Sequence, residues 1–281
     1  MAVDFPTPLV TAAWLDGNLD NPSVRVLDCR WYLQPFDTRD GRAEYAAGHI
    51  PGALHVNWAD ELADPDRGAL NMLANPERYE AAMSALGIGD DTLVVTYDDH
   101  HVPVAARVWW TLRAYGHEHV AVLDGGITRW TREGRRLETG QAPTPPRPDK
   151  PFVARFQPQR YATKQDVLDA LRHGSARLVD ARMDVAYHAA SGHIPDSVRV
   201  TGLGFLADGE QWSTPEQCRA RIEGAGVADA SDTILYCGGG VAATGALLGW
   251  TLAGLGQNVR VYDGSWGEWE QDPSTPKEMH Q

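Results

Sequence analysis

Short runs of β-branched and aliphatic residues alternate along this chain with longer segments whose apolar residues recur at helical spacing. The runs predict strands at Val24–Leu27, Thr92–Tyr97, Val120–Leu123, Arg177–Val179, Thr233–Tyr236 and Val259–Tyr262. The segments between them predict helices at Pro76–Leu86, Val102–Tyr115, Pro215–Ala225 and Ala243–Leu255. Because strands and helices alternate, we predict an α/β fold in which a mainly parallel sheet is flanked by helices.

The pattern occurs twice, which indicates a duplicated domain. The matched segments are Thr11–Asp28 with Thr163–Asp180, Gly48-His49-Ile50-Pro51 with Gly192-His193-Ile194-Pro195, Asn75-Pro76-Glu77 with Thr214-Pro215-Glu216, Trp110-Thr111-Leu112 with Trp250-Thr251-Leu252, and Asp124-Gly125-Gly126 with Asp263-Gly264-Ser265. A repeat of this length is a whole domain and not the period of a solenoid. Asn75 and Thr214 each predict a helix cap, with proline at the first helical position.

A proline-rich segment separates the two copies. Residues 142–151 read Ala-Pro-Thr-Pro-Pro-Arg-Pro-Asp-Lys-Pro, a composition that excludes a helix or a central strand. We expect this segment to run extended along the surface. The sequence therefore predicts an N-terminal domain at 1–141, a linker at 142–160 and a C-terminal domain at 161–281.

The charge and the termini limit the partners. The 281 residues include 25 Lys and Arg against 38 Asp and Glu, for a formal net charge of −13. This negative field argues against nucleic acid and anionic membranes as partners, and an anionic substrate then needs a local positive site. No apolar run is long enough to span a membrane, and the N-terminus lacks the features of a secretory signal. We therefore expect a cytoplasmic protein.

The cysteines point to a free thiol. Cys29, Cys218 and Cys237 are an odd and sparse set, which is not a disulfide framework and has no zinc-ligand spacing. Such a set is typical of a reducing compartment. We expect neither a metal nor an organic cofactor.

The sequence around Cys237 favours a reactive thiolate. It follows the predicted strand that ends at Tyr236, and Gly238–Gly240 lead from it into a predicted helix. Glycines allow the backbone to curl so that successive N–H groups converge on one anion, and the helix N-terminus adds partial positive charge. Both effects favour a thiolate that can carry a substituent. The alternative is that Cys237 is only a small buried apolar residue.

These segments together resemble the tandem rhodanese-family sulfurtransferases over essentially the whole chain. That family carries a Cys-x-x-Gly-Val-Thr/Ala-Ala loop after a strand, paired Gly-His-Ile-Pro segments and an Asp-Gly-Gly-x-x-x-Trp ending. The resemblance implies two tandem rhodanese-like domains, with Cys237 as the catalytic residue in the second. It further implies a donor-binding set made of Gly238, Gly239, Gly240, Val241, Ala242, Ala243, Arg182, Asp180 and Trp31.

The sequence departs from the family pattern at three positions. The Cys-Gly-x-Gly-Val opening is similar to the 3-mercaptopyruvate branch, yet Gly239 stands where that branch has serine and Ala242 where it has threonine. Ala186 stands where the family has a second donor-binding arginine. Anion binding then depends on Arg182 and the backbone N–H groups. Arg182 has an equally open structural alternative, an ion pair with Asp180.

The first copy lacks the nucleophile. Asp98 takes the position of Cys237, and the carboxylates of Asp98 and Asp99 would repel an anionic sulfur. We therefore predict a catalytically inactive N-terminal domain, as is usual in the family. The adjacent His100 and His101 are interpreted as part of a solvated loop.

The resemblance implies a sulfur transfer in two steps. The Cys237 thiolate takes a sulfane sulfur from a small anionic donor, thiosulfate or 3-mercaptopyruvate, and passes it to cyanide, a small thiol or thioredoxin. One alternative is a catalytically idle binding module of the same fold. A second is a cysteine phosphatase, which the sequence disfavours because the loop contains no arginine: six positions after Cys237 stands Ala243.

Overall fold

The computed structural model describes residues 8–34, 37–66, 72–100, 102–141, 144–190 and 192–279. As far as these ranges are described, contacts divide the chain into two units. The N-terminal unit comprises Met1–Ala63, Ala74–Phe156 and Asp208–Gln211, and the C-terminal unit comprises Asp64–Leu73, Gln157–Ala207 and Trp212–Gln281.

The N-terminal half forms one five-stranded sheet. Its elements are β1 Leu9–Val10, α1 Ala12–Asp16, β2 Val24–Asp28, α2 Gly41–Ala47, β3 Leu54–His55, α3 Trp58–Glu61, α4 Pro76–Ala85, β4 Leu93–Tyr97, α5 Val104–Ala114, β5 Val120–Leu123 and α6 Gly126–Arg132. The strand order is β1-β5-β4-β2-β3, and each neighbouring pair is parallel.

The C-terminal half repeats this arrangement. Its elements are β6 Tyr161–Ala162, α7 Lys164–His173, β7 Arg177–Asp180, α8 Asp184–Ala189, β8 Gly192–His193, β9 Val198–Arg199, β10 Leu206–Ala207, β11 Gln211–Trp212, α9 Pro215–Gly224, β12 Thr233–Tyr236, α10 Ala242–Leu252, β13 Val259–Tyr262, α11 Ser265–Gln271 and β14 Glu278–Met279. Short 3-10 turns lie at Pro158–Arg160, Gly202–Phe205 and Gly256–Asn258. The parallel sheet has the order β6-β13-β12-β7-β9, and two-stranded sheets pair β8 with β14 and β10 with β11.

The predicted α/β fold is therefore confirmed, and several element limits follow from local chemistry. Asn75 caps α4 by accepting the backbone N–H of Arg78, and Thr214 forms a capping box with Gln217 at α9. The helix predicted from Val102 begins only at Val104, because Pro103 fills the N-cap position. The helix predicted to reach Leu255 ends at Leu252, because the chain enters the left-handed region at Gly254.

The C-terminal part of the predicted linker does not lie wholly on the surface, because Phe152 packs among other aromatic rings. Phe152 is buried and its ring lies 5.7 Å from that of Tyr79 and 5.6 Å from that of His117. The short turn Pro158–Arg160 then leads into β6.

The units depart from the linear order of the chain in two places. Asp64–Leu73 belongs to the C-terminal unit, where the backbone N–H of Leu73 donates to Asp263 Oδ2 at 2.6 Å. Asp208–Gln211 belongs to the N-terminal unit, where Gln211 Nε2 donates to Asp124 Oδ2 at 3.2 Å. Asp263 and Asp124 open the repeated Asp-Gly motif, so equivalent residues hold the two exchanged segments.

Each parallel sheet gathers polar residues at its carboxyl edge. In the second sheet Tyr236, Asp180 and Arg199 lie in register, and in the first sheet Tyr97, Asp28 and His55 do. Ligands of open α/β sheets bind beyond this edge. No helix in the described part of the chain is long and apolar enough to cross a membrane.

Candidate active site

Cys237 is the first residue after β12, and the loop it opens needs glycine. Gly238 is exposed, Gly239 is half-buried, and Gly240 is buried with φ +78°, a backbone conformation that favours glycine. Val241, Ala242 and Ala243 are buried, and α10 begins at Ala242. The thiol-bearing residue is itself only 2% exposed. The predicted order of strand, cysteine, glycine loop and helix is therefore present in the structure.

Hydrogen bonds from the start of α11 fix the backbone of Cys237. Its N–H donates to Ser265 Oγ at 3.1 Å, and its carbonyl accepts the N–H of Trp266 at 2.9 Å. The next carbonyl, of Gly238, accepts the N–H of Gly267 at 2.9 Å. Ser265 Oγ donates in turn to the carbonyl of Tyr262 at 2.8 Å. This arrangement holds the cysteine at a fixed position above the strand.

Ser265 adopts a conformation that normally belongs to glycine. Its φ is +52°, and it is fully buried. The equivalent residue of the first copy, Gly126, has the same φ of +52°, and a Cβ there would lie 2.2 Å from the carbonyl oxygen of Asp98. A side chain at this position, with its hydroxyl accepting the N–H of Cys237, is thus a feature of the second copy only. Strained residues of this kind cluster at functional sites.

In the first copy, backbone N–H groups hold a side-chain carboxyl group after the equivalent strand. Asp98, which follows β4 as Cys237 follows β12, accepts the N–H of His100 at 3.0 Å and that of Ala105, in the first turn of α5, at 2.7 Å. The interpretation of His100 as solvated is wrong, because its ring is buried and pairs with Asp98 at 3.2 Å. His101 lies outside the described residues. Backbone N–H groups that converge on an acceptor after the strand are therefore present in this fold.

Arg182 forms an ion pair with Asp180, as expected if its role is structural. Its Nε lies 3.0 and 2.9 Å from the two carboxylate oxygens of Asp180, Nη2 lies 2.5 Å from Oδ2, and Nη2 also donates to the carbonyl of Gly192 at 3.1 Å. Arg30 makes the same contacts with Asp28 and Gly48 in the first copy. The third guanidinium nitrogen, Arg182 Nη1, is buried and has no hydrogen-bond partner among the described residues.

Aromatic rings surround the Arg182 guanidinium. Its Cζ lies 4.9 Å from the ring centroid of Tyr187 and 5.0 Å from that of Trp266. A second guanidinium, that of Arg199, lies 4.3 Å from the Tyr187 centroid. Ala186, where the family resemblance would place an arginine, is an uncharged residue of α8.

The remaining cysteines are unsuited to thiolate chemistry. None of the three is paired in a disulfide. Burial, reinforced by the carboxylates of Asp98 and Asp28, raises the pKa of Cys29 well above its ordinary value. Burial raises the pKa of Cys218 to about 11. Both thiols stay protonated at neutral pH, which leaves Cys237 as the candidate nucleophile.

Trp31 lies in the N-terminal unit, where its ring meets that of Trp58 edge-on with a centroid distance of 5.6 Å. Its expected place in the donor-binding set stays a prediction. Among the described residues, no group of His, Cys, Asp and Glu is placed to hold a metal ion.

Three residues near the site were not predicted from the sequence: Ser265, Tyr187 and Arg199. Ser265 stood in the repeated Asp-Gly motif, where the exchange of glycine for serine in the second copy was the available signal. Tyr187 and Arg199 belong to separate elements, α8 and β9, and no local pattern joins them.

Known proteins share both the sequence and the fold. The model of the rhodanese-like domain matches residues 11–133 and 163–272. The 3-mercaptopyruvate sulfurtransferase of Escherichia coli is 34% identical over 282 residues, which cover 97% of this chain and 98% of the relative. The mitochondrial thiosulfate/3-mercaptopyruvate sulfurtransferase 1 of Arabidopsis thaliana is 31% identical, covering 99% of this chain and 79% of the relative.

A solved structure agrees. The crystal structure of SseA from Escherichia coli, described as a 3-mercaptopyruvate sulfotransferase with the rhodanese fold, superimposes with a TM-score of 0.82 at 34% identity. The match covers 92% of this chain and 99% of that one. With its two matched domains, its duplicated sheets and its full-length relatives, this chain belongs to the rhodanese family of sulfurtransferases.

Proposed function

We propose that this protein transfers sulfane sulfur from 3-mercaptopyruvate or thiosulfate through a persulfide on Cys237. The observation that carries the assignment is the position of Cys237: it lies between a parallel strand and a helix N-terminus, where the first copy holds the Asp98 carboxylate with two backbone N–H groups. A persulfide anion is stabilised by the same kind of cradle.

The first half of the reaction forms one S–S bond. The Cys237 thiolate attacks the outer sulfur of the donor. Thiosulfate loses its S–S bond and leaves as sulfite, whereas 3-mercaptopyruvate loses its C–S bond and leaves as the enolate of pyruvate, which takes up the proton of the donor thiol. The second half transfers the outer sulfur to cyanide, a small thiol or thioredoxin and restores the Cys237 thiolate. Splitting the transfer replaces one difficult step by two easier ones.

The loop residues supply binding without charge. The backbone N–H groups of Gly238, Gly239, Gly240, Val241, Ala242 and Ala243 hold the outer sulfur, so the loss of hydroxyl groups at Gly239 and Ala242 leaves this part of the cradle intact. Asp180 orients Arg182, whose Nη1 keeps an N–H for the anionic donor. Ser265 holds the backbone of Cys237 in place. Trp31 is a further proposed member of the donor-binding set.

The first domain, 1–141, is the inactive copy, the linker spans 142–160, and the catalytic domain spans 161–281. In the inactive copy the Asp98 carboxyl group occupies the equivalent position. Three unpaired cysteines are consistent with a reducing, cytoplasmic location.

Mass spectrometry tests the assignment. The freshly reduced protein is exposed briefly to thiosulfate or to 3-mercaptopyruvate, and the intact mass and a peptide map are recorded. We expect a gain of one sulfur on Cys237, none in Cys237→Ser and an unchanged gain in Cys218→Ser. The faster donor identifies the physiological branch.

A catalytically idle binding module is the alternative that the near-complete burial of Cys237 favours. In that case neither donor adds sulfur to any cysteine, and the sulfurtransferase assignment is rejected.

A further inference from the structure

Two guanidinium groups share one aromatic ring beside the catalytic strand. Arg182 Cζ lies 4.9 Å and Arg199 Cζ 4.3 Å from the centroid of the Tyr187 ring. The two arginines come from different segments, since Arg182 follows β7 and Arg199 ends β9. Each arginine is paired with one carboxylate, Arg182 with Asp180 and Arg199 with Asp184.

The two cations are not equally available. Arg182 uses Nε and Nη2 on the buried carboxylate of Asp180 and on the carbonyl of Gly192. Arg199 pairs through Nη2 with Asp184, whose side chain is 78% exposed. Within the described part of the chain, Arg199 Nε has no hydrogen-bond partner. Because an exposed ion pair contributes little, a bound anion can replace Asp184 at low cost.

The position of Arg199 brings it within reach of a donor on Cys237. Tyr236 pairs in register with Asp180, and Asp180 with Arg199, across the carboxyl edge of the sheet. With strands spaced at about 4.8 Å, the Cα atom of Arg199 lies roughly 10 Å from that of Tyr236, the residue before Cys237. An arginine side chain and a three-carbon donor together span this separation.

The first copy provides a comparison without the nucleophile. There the residue in register with Asp28 is His55, and burial lowers the pKa of His55. The fixed positive charge at this position therefore occurs in the copy that has Cys237 and not in the copy that has Asp98.

We propose that Arg199 is a specificity-determining residue that binds the carboxylate or sulfonate group of the donor, in competition with Asp184. The role in sulfur transfer depends on the function proposed above. The planar guanidinium suits such groups because it donates two parallel N–H bonds. Tyr187 stacks against both guanidinium groups and keeps Arg199 beside the site.

The test compares two alkylating reagents of similar size at Cys237, iodoacetate with a carboxylate and iodoacetamide with a neutral amide. The ratio of their rates reports the attraction of the site for a carboxylate, whether or not the protein transfers sulfur. We expect Arg199→Gln to lower this ratio about tenfold, the effect of losing one charge-assisted contact. Arg199→Lys restores part of it, and Asp184→Asn raises the ratio above that of the unmodified protein.

The matched control is Arg172→Gln. Arg172 is exposed and pairs with Asp169 on α7, so its loss changes the net charge equally while the ratio stays nearly constant. Circular dichroism and thermal unfolding show that each variant is folded. With 3-mercaptopyruvate as donor, we expect Arg199→Gln to raise the donor concentration needed for half-maximal persulfide formation. The limiting rate stays unchanged.

The proposal is overturned if the ratio of the iodoacetate rate to the iodoacetamide rate is equal in Arg199→Gln and Arg172→Gln. If the ratio falls as expected but no donor forms a persulfide, the anion site stands and the sulfurtransferase function is rejected. If persulfide forms with an unchanged half-maximal donor concentration, Arg199 is excluded as the donor site.

Discussion

Replacing Arg182 with lysine separates the structural role of this arginine from its role in donor binding. The side chain donates Nε and Nη2 to Asp180 and Nη2 to the carbonyl of Gly192. A lysine ammonium keeps the charge and replaces the Nη2 contacts, but the Nε bond to the carboxylate is lost. A hydrogen bond to a charged group contributes about 2 kcal/mol, a large share of the ~5–15 kcal/mol that stabilises a protein.

The duplication supplies the control variant. Arg30 binds Asp28 with Nε–Oδ1 and Nη2–Oδ2 distances of 3.0 and 2.6 Å, against 3.0 and 2.5 Å for Arg182 and Asp180. We therefore expect Arg30→Lys and Arg182→Lys each to lower the free energy of unfolding by about 2 kcal/mol. Urea denaturation measures this change, with m-values that show whether the same surface unfolds.

The rate of persulfide formation then distinguishes the two arginines. Arg182→Lys slows it, because Nη1 is lost from a guanidinium that packs on Trp266, and the N–H of Trp266 holds the carbonyl of Cys237. Arg30→Lys leaves the rate unchanged. An equal loss of rate in both variants would refute a direct role for Arg182, and unchanged stability in both would refute the structural role of the ion pair.

Two further predictions concern the loop and the thiols. Gly240→Ala destabilises the protein by about 1–2 kcal/mol and slows sulfur transfer, because φ at Gly240 is +78°. Gly238→Ala is tolerated, because a Cβ added there meets no atom within 4 Å. Urea denaturation measures the stability of both variants, and persulfide formation measures their activity. The pKa of Cys218 is about 11, so at pH 7.5 only roughly 0.03% of this thiol is ionised. We therefore expect iodoacetamide to label Cys237 first and to label Cys218 faster only as the pH rises toward 11. Faster labelling of Cys218 or Cys29 than of Cys237 at pH 7.5 would contradict the assignment of the reactive thiol.

Local chemistry explains why much of the fold was predictable. The strands at Val120–Leu123, Thr233–Tyr236 and Val259–Tyr262 agree residue for residue with the structure, because a buried parallel strand is a short apolar run bounded by turn residues. The caps at Asn75 and Thr214 were predictable for the same reason, since a cap depends on residues within one turn.

The glycine loop was predictable as an arrangement but not as a geometry. The order of strand end, Cys237, glycines and helix is a property of the chain. The backbone position of Cys237 depends on α11, because Ser265 and Trp266 hydrogen-bond to its N–H and carbonyl groups. The positive φ of Ser265 has no local signal, because serine ordinarily avoids that region.

The duplication, the parallel sheets, the glycine-flanked Cys237 after a strand and the likeness to the rhodanese family could all be predicted from the sequence, since each depends on neighbouring residues or on a repeated motif. The cations that meet at the carboxyl edge, and the unit to which each exchanged segment belongs, follow only from the folded chain. Arg199 approaches Tyr187 because β9 pairs with β7, and Leu73 reaches Asp263 across most of the chain. Such contacts form between residues distant in sequence, where neither hydrophobic periodicity nor turn chemistry carries information about the partner.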